Sequence, residues 1–509
     1  MAGFSRKSQM AFSTVKLDGI SVVRAVAGAA ILTACAAVHW QPLLAVFVAV
    51  ALFVGTFALF HSRATQKGFL FVLGVLLAGY AFLGKGLAYL PAPPIFVGEV
   101  ALGLGLLVLV AGGRPGPALR LPLSWLLVAF AFLGVIRTVP YLDEYGVLAL
   151  RDAVIWGYAA FAVIVAQLLL EVGWLPRVPR IYGRCVPWFL AWVPIAFLIQ
   201  LLARDLLPVL SAGSQRVTLP DLKAGDISVH LAGVGAYLLL DLHKISSRGR
   251  NVGMVIMQWT CWIGWLVGGF MIAAWNRGGL LAMIAGFVVV LALRPSRGLA
   301  RVAFLAVVLA TASFVFNLEI DVGYSRKFSA EQVAANLKSV VGGSEDSQLE
   351  GTRQWRLQWW REIIQYTVFG EHFWLGKGFG INLAYDDRKQ ATPDAPLRSP
   401  HNGHLTVLAR MGVPGFALWV LLQGAFAFAL LRAHFLARRA RQEWWARVNL
   451  WILAYWTAFM VNGMFDVFLE GPQGGIWFWS LFGFGIAALG MQKRDRKSWG
   501  VAQASPTRT

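Results

Sequence analysis

Apolar stretches of about 20 residues, separated by short polar loops, recur along almost the whole chain. A helix of that length crosses the roughly 30 Å hydrocarbon core of a bilayer. The pattern therefore predicts an all-α polytopic membrane protein with about 12–14 transmembrane helices and one large hydrophilic loop. The candidate spans lie at 19–38, 41–60, 68–90, 94–111, 121–139, 150–171, 184–202, 227–242, 253–275, 278–293, 299–318, 404–431, 448–468 and 474–491.

The composition agrees with this class of protein. Hydrophobic residues make up 58% of the 509-residue chain and charged residues 14%, whereas soluble proteins carry about a quarter charged residues. Lys and Arg exceed Asp and Glu by 45 − 25 = 20. Between Glu319 and Arg398, however, ten basic residues accompany eleven acidic ones, so the basic excess lies in the tails and short loops. That distribution argues against nucleic-acid binding and is typical of a membrane topology signal.

The basic loops alternate along the chain in a way that the positive-inside rule can interpret. It predicts two cytoplasmic termini, a 1–318 N-terminal bundle, a 319–402 periplasmic loop, 403–491 C-terminal helices and a 492–509 tail. The stretch 352–370 within the loop predicts an amphipathic helix near the membrane surface, because Trp355, Trp359 and Ile363 recur every four residues. "GKGFG" at 376–380 predicts a turn and lacks the strand and Lys-Ser/Thr of a nucleotide loop.

A charged residue at the centre of an apolar span costs about 2.5–3.5 kcal/mol on insertion scales, so charges within or at the mouth of such spans suggest function. Arg277 in "NRGG" follows the span at 253–275 on the predicted outer side. Its guanidinium could bind a phosphate in a bidentate way, or extend to lipid headgroups. Arg353 and Arg356 share one face of the amphipathic helix, with Arg361 beyond them, and could bind either pyrophosphate or lipid phosphates.

His401 and His404 stand at the predicted outer mouth of the next span. Pro400 favours an extended residue before it, so Ser399 or Asn402 could cap the helix. His401 is a candidate general base, with an interfacial histidine as the plain alternative. An HxxH metal site is a weaker reading, because no carboxylate pattern completes a metal shell.

A fourth polar group lies in the segment 462–472. Asn462, Asp466 and Glu470 recur every four residues and could orient a histidine, bind sugar hydroxyls or simply end a helix. Cysteines offer no further chemistry, because Cys35, Cys185 and Cys261 lie in or beside apolar segments without CxxC spacing.

These residues resemble a known family. His401-Asn402, nine residues, Gly412, two residues and Gly415 resemble the His-Asn…Gly-x-x-Gly signature of bacterial O-antigen ligases and the related O-antigen polymerases. Thr352-Arg353 and Trp355 followed by "GKGFG", and Arg277 in "NRGG", are similar to other family patterns. The resemblance covers roughly residues 270–480.

The resemblance implies a GT-C-type membrane glycosyltransferase of the bacterial inner membrane, with its site facing the periplasm. The donor would be a glycan on undecaprenyl pyrophosphate, the acceptor a hydroxyl of lipid A-core or of a second lipid-linked glycan, and no cofactor or metal would be needed. The implied roles are His401 as catalytic base, Arg277, Arg353 and Arg356 as pyrophosphate ligands, and Asn402, His404, Gly412, Gly415 and Asp466 as supporting residues.

Several functions remain open at this stage. A ligase, a polymerase of lipid-linked repeat units for O-antigen or exopolysaccharide, and an enzyme that glycosylates protein share the donor and differ in the acceptor. A lipid or glycan transporter belongs to another class, and it typically shows internal repeats and charges deep in the bundle. No repeat is visible here, and Glu171, Asp241 and His243 lie at predicted cytoplasmic ends.

Overall fold

The structure, a computed structural model, describes residues 62–92, 95–111, 116–212, 215–243, 252–294, 320–321, 327–328, 330–341, 347–390 and 397–503. The longer helices are α1 (Ser62–Leu83), α2 (Val97–Ala111), α3 (Pro122–Thr138), α4 (Val147–Gly157), α5 (Ala159–Val172), α6 (Val178–Leu202), α7 (Ala224–Leu239), α8 (Val252–Trp275), α9 (Arg277–Leu293), α10 (Ala330–Val341), α11 (Ser347–Val368), α12 (Gly403–Arg439), α13 (Glu443–Asn462) and α14 (Pro472–Gln503).

Small antiparallel hairpins accompany these helices. Each pairs two short strands: β1 (Pro91–Ala92) with β2 (Ile95–Phe96), β3 (Val209–Ala212) with β4 (Gln215–Thr218), and β5 (Ile320–Asp321) with β6 (Lys327–Phe328).

The all-α polytopic membrane class is confirmed. Among the described residues, six helices are long and apolar enough to cross a bilayer, and a seventh span results if α4 and α5, bent by 43°, count as one. The shorter helices α2, α7 and α9 are also apolar. The spans predicted at 19–38, 41–60 and 299–318 lie outside the described residues.

The helices form one bundle with two chemically different ends. At one end, Arg294 pairs with Glu443 at 2.8 Å and Arg438 donates to the Leu293 carbonyl at 2.9 Å. At the other end, the amide of Gly403 donates to the Gly463 carbonyl at 2.8 Å. We call these the basic end and the loop end, because α11 lies over the second.

The short helix α7 forms the centre of the bundle. All 16 of its residues are buried, and it packs against α8, α9 and α13. Its glycines allow this close approach: a Cβ on Gly233 would lie 2.5 Å from the Tyr455 ring. Because the helix is buried on all sides, its sequence needs no polar face.

Helix α12 is broken at Gly412, where φ is 67° and ψ is −171°. The indole of Trp419 donates to Nδ1 of His404 at 3.1 Å although the two residues are 15 positions apart. A straight helix would separate them by about 22 Å, so the two halves fold back on each other. The predicted span at 404–431 is therefore not one straight helix, because it is interrupted at Gly412.

The "GKGFG" turn docks into this break. Amides of Lys377 and Gly378 donate to the carbonyls of Ala409 and Arg410 at 2.7 and 3.1 Å, and the amide of Val413 donates to the Phe373 carbonyl at 2.8 Å. These bonds satisfy backbone groups that a helix break leaves without intrahelical partners.

The predicted amphipathic helix is present as α11, but its apolar face covers protein rather than the membrane surface. Trp359 and Ile363 are fully buried, in one cluster with Leu383, Leu408 and Ala409. The cluster joins the loop to the first half of α12. The prediction of an interfacial helix is thus corrected, because tertiary contacts with α12 bury the face that the sequence offered to lipid.

Replacing Gly412 by Ala should destabilise the protein. The backbone occupies a region that is essentially restricted to glycine, which costs other residues about 1–3 kcal/mol, and a Cβ would lie 2.5 Å from the Phe373 carbonyl oxygen. We expect a lower midpoint of thermal unfolding in detergent and faster proteolysis of the loop. The matched change Gly424→Ala adds a Cβ that meets nothing within 4 Å, and both readouts should stay at wild-type values. Equal behaviour of the two variants would contradict the role given to the break.

Candidate functional site

The loop end carries a cluster of charged and titratable residues from five parts of the chain. Lys223 precedes α7, Arg277 begins α9, Arg356 lies on α11, His401 precedes α12, and Asp466 follows α13. We call these five residues the polar cluster. Three of these residues are cations, one is a carboxylate and one is a histidine, so the five residues together carry an excess of positive charge.

Lys223 and Asp466 form the shortest ion pair of the cluster, with Nζ and Oδ1 at 2.5 Å. Asp466 is only 6% exposed. Burial acts to lower the pKa of Lys223, but the carboxylates of Asp466 and Asp226 outweigh it and raise that pKa above its usual value. The ammonium group is therefore charged at physiological pH.

His401 is held in a strained backbone conformation beside this pair. Its φ of 52° lies in the left-handed region, which non-glycine residues rarely adopt. The pKa of His401 is lowered to about 4, mainly by burial, with Arg356 and Lys223 acting in the same direction and Asp466 opposing them. The imidazole is therefore neutral at physiological pH, which is the protonation state of a general base. Strain of this kind is concentrated at functional sites.

Two arginines of the cluster lie near each other on different helices. Arg356 donates from Nη1 to the Phe465 carbonyl at 3.3 Å. Burial lowers its pKa, Asp466 opposes the shift, and the nearby charge of Arg277 adds to it. Mutual repulsion between two guanidinium groups favours an anion between them.

Tight packing places Arg277 in the cluster. Asn276 caps α9 by accepting a hydrogen bond from the Gly279 amide at 2.8 Å, so Arg277 occupies the first helical position. Gly225 lets the start of α7 approach, because a Cβ there would lie 3.2 Å from both Asn462 Oδ1 and Asp466 Oδ2. The starts of α7 and α9 and the end of α13 thereby meet at one point.

Other predicted residues lie nearby with different roles. Arg353 and Arg361 are exposed on α11, and Arg353 lies one turn before Arg356. Asn402 caps α12, since its Oδ1 accepts from the amides of His404 and Leu405 at 3.1 Å each. The backbone of Gly415 packs against Met411. A Cβ added at position 415 would lie 2.2 Å from the Cβ of Met411, so a larger residue would collide with it.

His404 is a structural residue in this arrangement. The indole of Trp419 can only donate, so Nδ1 accepts from it and Nε2 donates to the Met460 carbonyl at 2.9 Å. Both ring nitrogens are used, which rules out His404 as a ligand of an HxxH metal site. Within the described part of the chain, no group of three or more His, Cys, Asp or Glu residues could hold a metal ion.

The four-residue spacing of Asn462, Asp466 and Glu470 does not lie on one helix. α13 ends at Asn462, six residues before the end of the span predicted at 448–468, and Glu470 closes a 3₁₀ turn (Phe468–Glu470). Asp466 joins the polar cluster. Burial raises the pKa of Glu470, and Arg410 opposes that shift, so Glu470 belongs to a neighbouring network.

That network ties the loop to the bundle and was missed from the sequence. Asp152 of α4 accepts from Arg398 at 3.1 Å, from the Gly380 amide at 3.0 Å, and pairs with Arg410 at 2.9 Å. Arg410 is 1% exposed and also donates to the carbonyls of Gly378 and Ile381. Asp152 stands near the start of the span predicted at 150–171. Its partners lie more than 200 residues away in the chain, so the sequence pattern around Asp152 gives no sign of them. Lys223 was missed for the same reason.

The fold and the cluster together define a multi-pass helical membrane protein with a partly buried cluster of charged residues at one end. Residues 262–420 match the family model Wzy_C, described as O-antigen ligase. This match confirms the family resemblance for that segment, which includes Arg277, Arg356, His401 and Gly412. Lys223 and Asp466 lie outside it. No curated protein matches the chain.

Replacing Asp152 by Asn should weaken the attachment of the loop. It removes the carboxylate that faces two arginines, and breaking a buried pair in this way costs on the order of 3 kcal/mol. Proteolysis between residues 376 and 398 should accelerate, and the thermal midpoint should fall. Asp143→Asn, an exposed change before the same helix, should do neither. A stable Asp152→Asn variant with a protected loop would show that backbone docking alone holds the segment.

Proposed function

We propose that this protein is a membrane glycosyltransferase of the O-antigen ligase type. It transfers a glycan from undecaprenyl pyrophosphate to an acceptor hydroxyl at the periplasmic face of the bacterial inner membrane. In this proposal 319–402 is the periplasmic loop and both termini are cytoplasmic. The observation that carries it is a neutral, half-buried His401 near Arg356 and Lys223, within a chain whose residues 262–420 match the O-antigen ligase model.

The cations provide the donor site. A pyrophosphate leaving group carries several negative charges that must be stabilised as the sugar–oxygen bond breaks. Arg277, Arg356 and Lys223 supply that stabilisation from three separate parts of the chain, and Arg353 extends the positive surface along α11. Three fixed cations replace the metal ion that nucleotide-sugar enzymes use, so we propose metal-independent transfer.

His401 provides the base. The acceptor hydroxyl oxygen attacks the anomeric carbon, the carbon–oxygen bond to pyrophosphate breaks, and the hydroxyl proton passes to an imidazole nitrogen of His401. Asp466 then stabilises the imidazolium, since its carboxylate already raises the pKa of that ring. Proton removal of this kind contributes about 10²–10⁴-fold. A single displacement inverts the anomeric configuration.

Lipid A-core is the proposed acceptor, and a second lipid-linked glycan, as in a polymerase, is the alternative that the same chemistry allows. A transporter is disfavoured, because the polar cluster gathers at one end of the bundle rather than at mid-depth.

An acceptor assay with a matched variant tests the proposal. Purified protein receives undecaprenyl-pyrophosphate glycan alone, and then with lipid A-core. Asn tolerates the left-handed backbone, so His401→Asn should fold normally and lose transfer by at least about 100-fold. His372→Asn, on the same loop, should retain it. Product that forms only with lipid A-core defines a ligase, whereas longer lipid-linked glycan without it defines a polymerase. Near-normal transfer by His401→Asn, or no transfer with either acceptor, would contradict the proposal.

The charges around His401 also predict a pH dependence. Since the free enzyme needs a neutral His401, kcat/KM should fall as the pH drops through about 4. Lys223→Gln removes a cation, raises the pKa of His401 and should move this acidic limb to higher pH. Asp466→Asn removes an anion and should move it to lower pH. Arg361→Gln on the exposed side of α11 should leave it in place. Shifts of the same sign in both cluster variants would exclude His401 as the titrating base.

A further inference from the structure

A cavity of about 370 Å³ lies between α1, α5, α6 and α14, away from the polar cluster. Its walls are almost entirely apolar, with Leu73, Leu77 and Phe189 among them. Phe71, Val75 and Ile181 line its edges and are 68%, 57% and 52% exposed. Exposed apolar side chains on membrane-spanning helices face lipid, so the cavity opens sideways towards the bilayer.

The depth of this cavity corresponds to one leaflet. Its lining on α1 runs from Leu70 to Phe82, which is about 18 Å along a helix axis. Half of a roughly 30 Å hydrocarbon core is about 15 Å. His230 and Tyr455, two of the polar side chains in its inner wall, hydrogen-bond each other at 2.6 Å.

The charge of the cavity lies at the basic end. Arg177, which stands between α5 and α6, lines it together with Trp174, and the guanidinium carbon lies 5.2 Å from the indole centroid. Among the described residues that line the cavity there is no carboxylate. A Trp beside an Arg at the end of a span is typical of the headgroup level of a membrane. The polar cluster, by contrast, lies at the opposite end of the bundle, on or beside other helices.

We propose that this cavity binds one anionic phospholipid from the leaflet at the basic end. Arg177 holds its phosphate and one acyl chain lies along α1. A lipid whose anionic head occupied the polar cluster would leave Arg177 without a partner, because the two sites are at opposite ends of the bundle. The inference is therefore independent of the proposed donor. An acyl chain gains little free energy when it moves from the bilayer into the cavity, because both surroundings are apolar. Selectivity between lipids therefore comes from the headgroup charge, and one Arg gives a preference of about fivefold for an anionic lipid.

Lipid retention tests the proposal with two matched pairs of variants. The full-length protein is incubated with equal amounts of phosphatidylglycerol and phosphatidylethanolamine, and bound lipid is identified by native mass spectrometry. Gly74 lines the cavity and an added Cβ there meets nothing within 4 Å, so Gly74→Leu should fill the space and remove the bound lipid. Gly68→Leu, equally open but outside the lining, should retain it.

The headgroup is tested in the same experiment. Wild-type protein should retain one phosphatidylglycerol in about fivefold preference, and Arg177→Gln should bind both lipids equally. Arg180→Gln, an exposed neighbour that does not line the cavity, should keep the preference. Retention of the bound lipid by the Gly74→Leu variant would contradict the proposed position of the binding site. Equal binding of both lipids by the wild-type protein would contradict recognition of the headgroup charge. Recovery of a polyprenyl phosphate in their place would overturn the identity of the occupant.

Discussion

The fold-back of α12 at Gly412 is the constraint on which the functional end of the protein depends. Without it, residues 403–411 would continue the span, and His404 could not reach Trp419. Because it is present, the first half of α12 provides a buried surface at the loop end of the bundle. Trp359 and Ile363 of α11 cover that surface, and this contact brings Arg356 to the other members of the polar cluster.

The backbone and the buried charges reinforce this arrangement in different ways. The "GKGFG" turn donates amide hydrogen bonds to carbonyl groups at the break, so these buried carbonyl groups have hydrogen-bond partners although the helix is interrupted. Asp152 adds a carboxylate shared by Arg398 and Arg410. A buried pair of this kind contributes little net stability but is costly to break, so it specifies one position for the loop.

The polar cluster meets two needs of the proposed mechanism. An anionic leaving group requires several cations close together, and a histidine base must be unprotonated, a form that nearby cations favour. Burial and the neighbouring cations keep His401 neutral, while Asp466 balances Lys223 and limits the repulsion. Helix packing holds the like charges together, because the starts of α7 and α9 approach the end of α13 through glycines.

The sequence by itself determined the class of protein, most helices within the described residues, and a core of the candidate site. Hydrophobic length and charge distribution act locally, so spans near 68–90 or 253–275 could be read directly. Arg277 and His401 were also predicted, because such residues at a span end are locally unusual. Arg356 was predicted from its spacing with Arg353 on the amphipathic helix and from the family resemblance. Only the tertiary structure decided that Lys223 joins them, that His404 is structural, that α11 covers protein and that α12 folds back. Each of these depends on partners far away in the chain, and local hydrophobicity carries no information about such contacts.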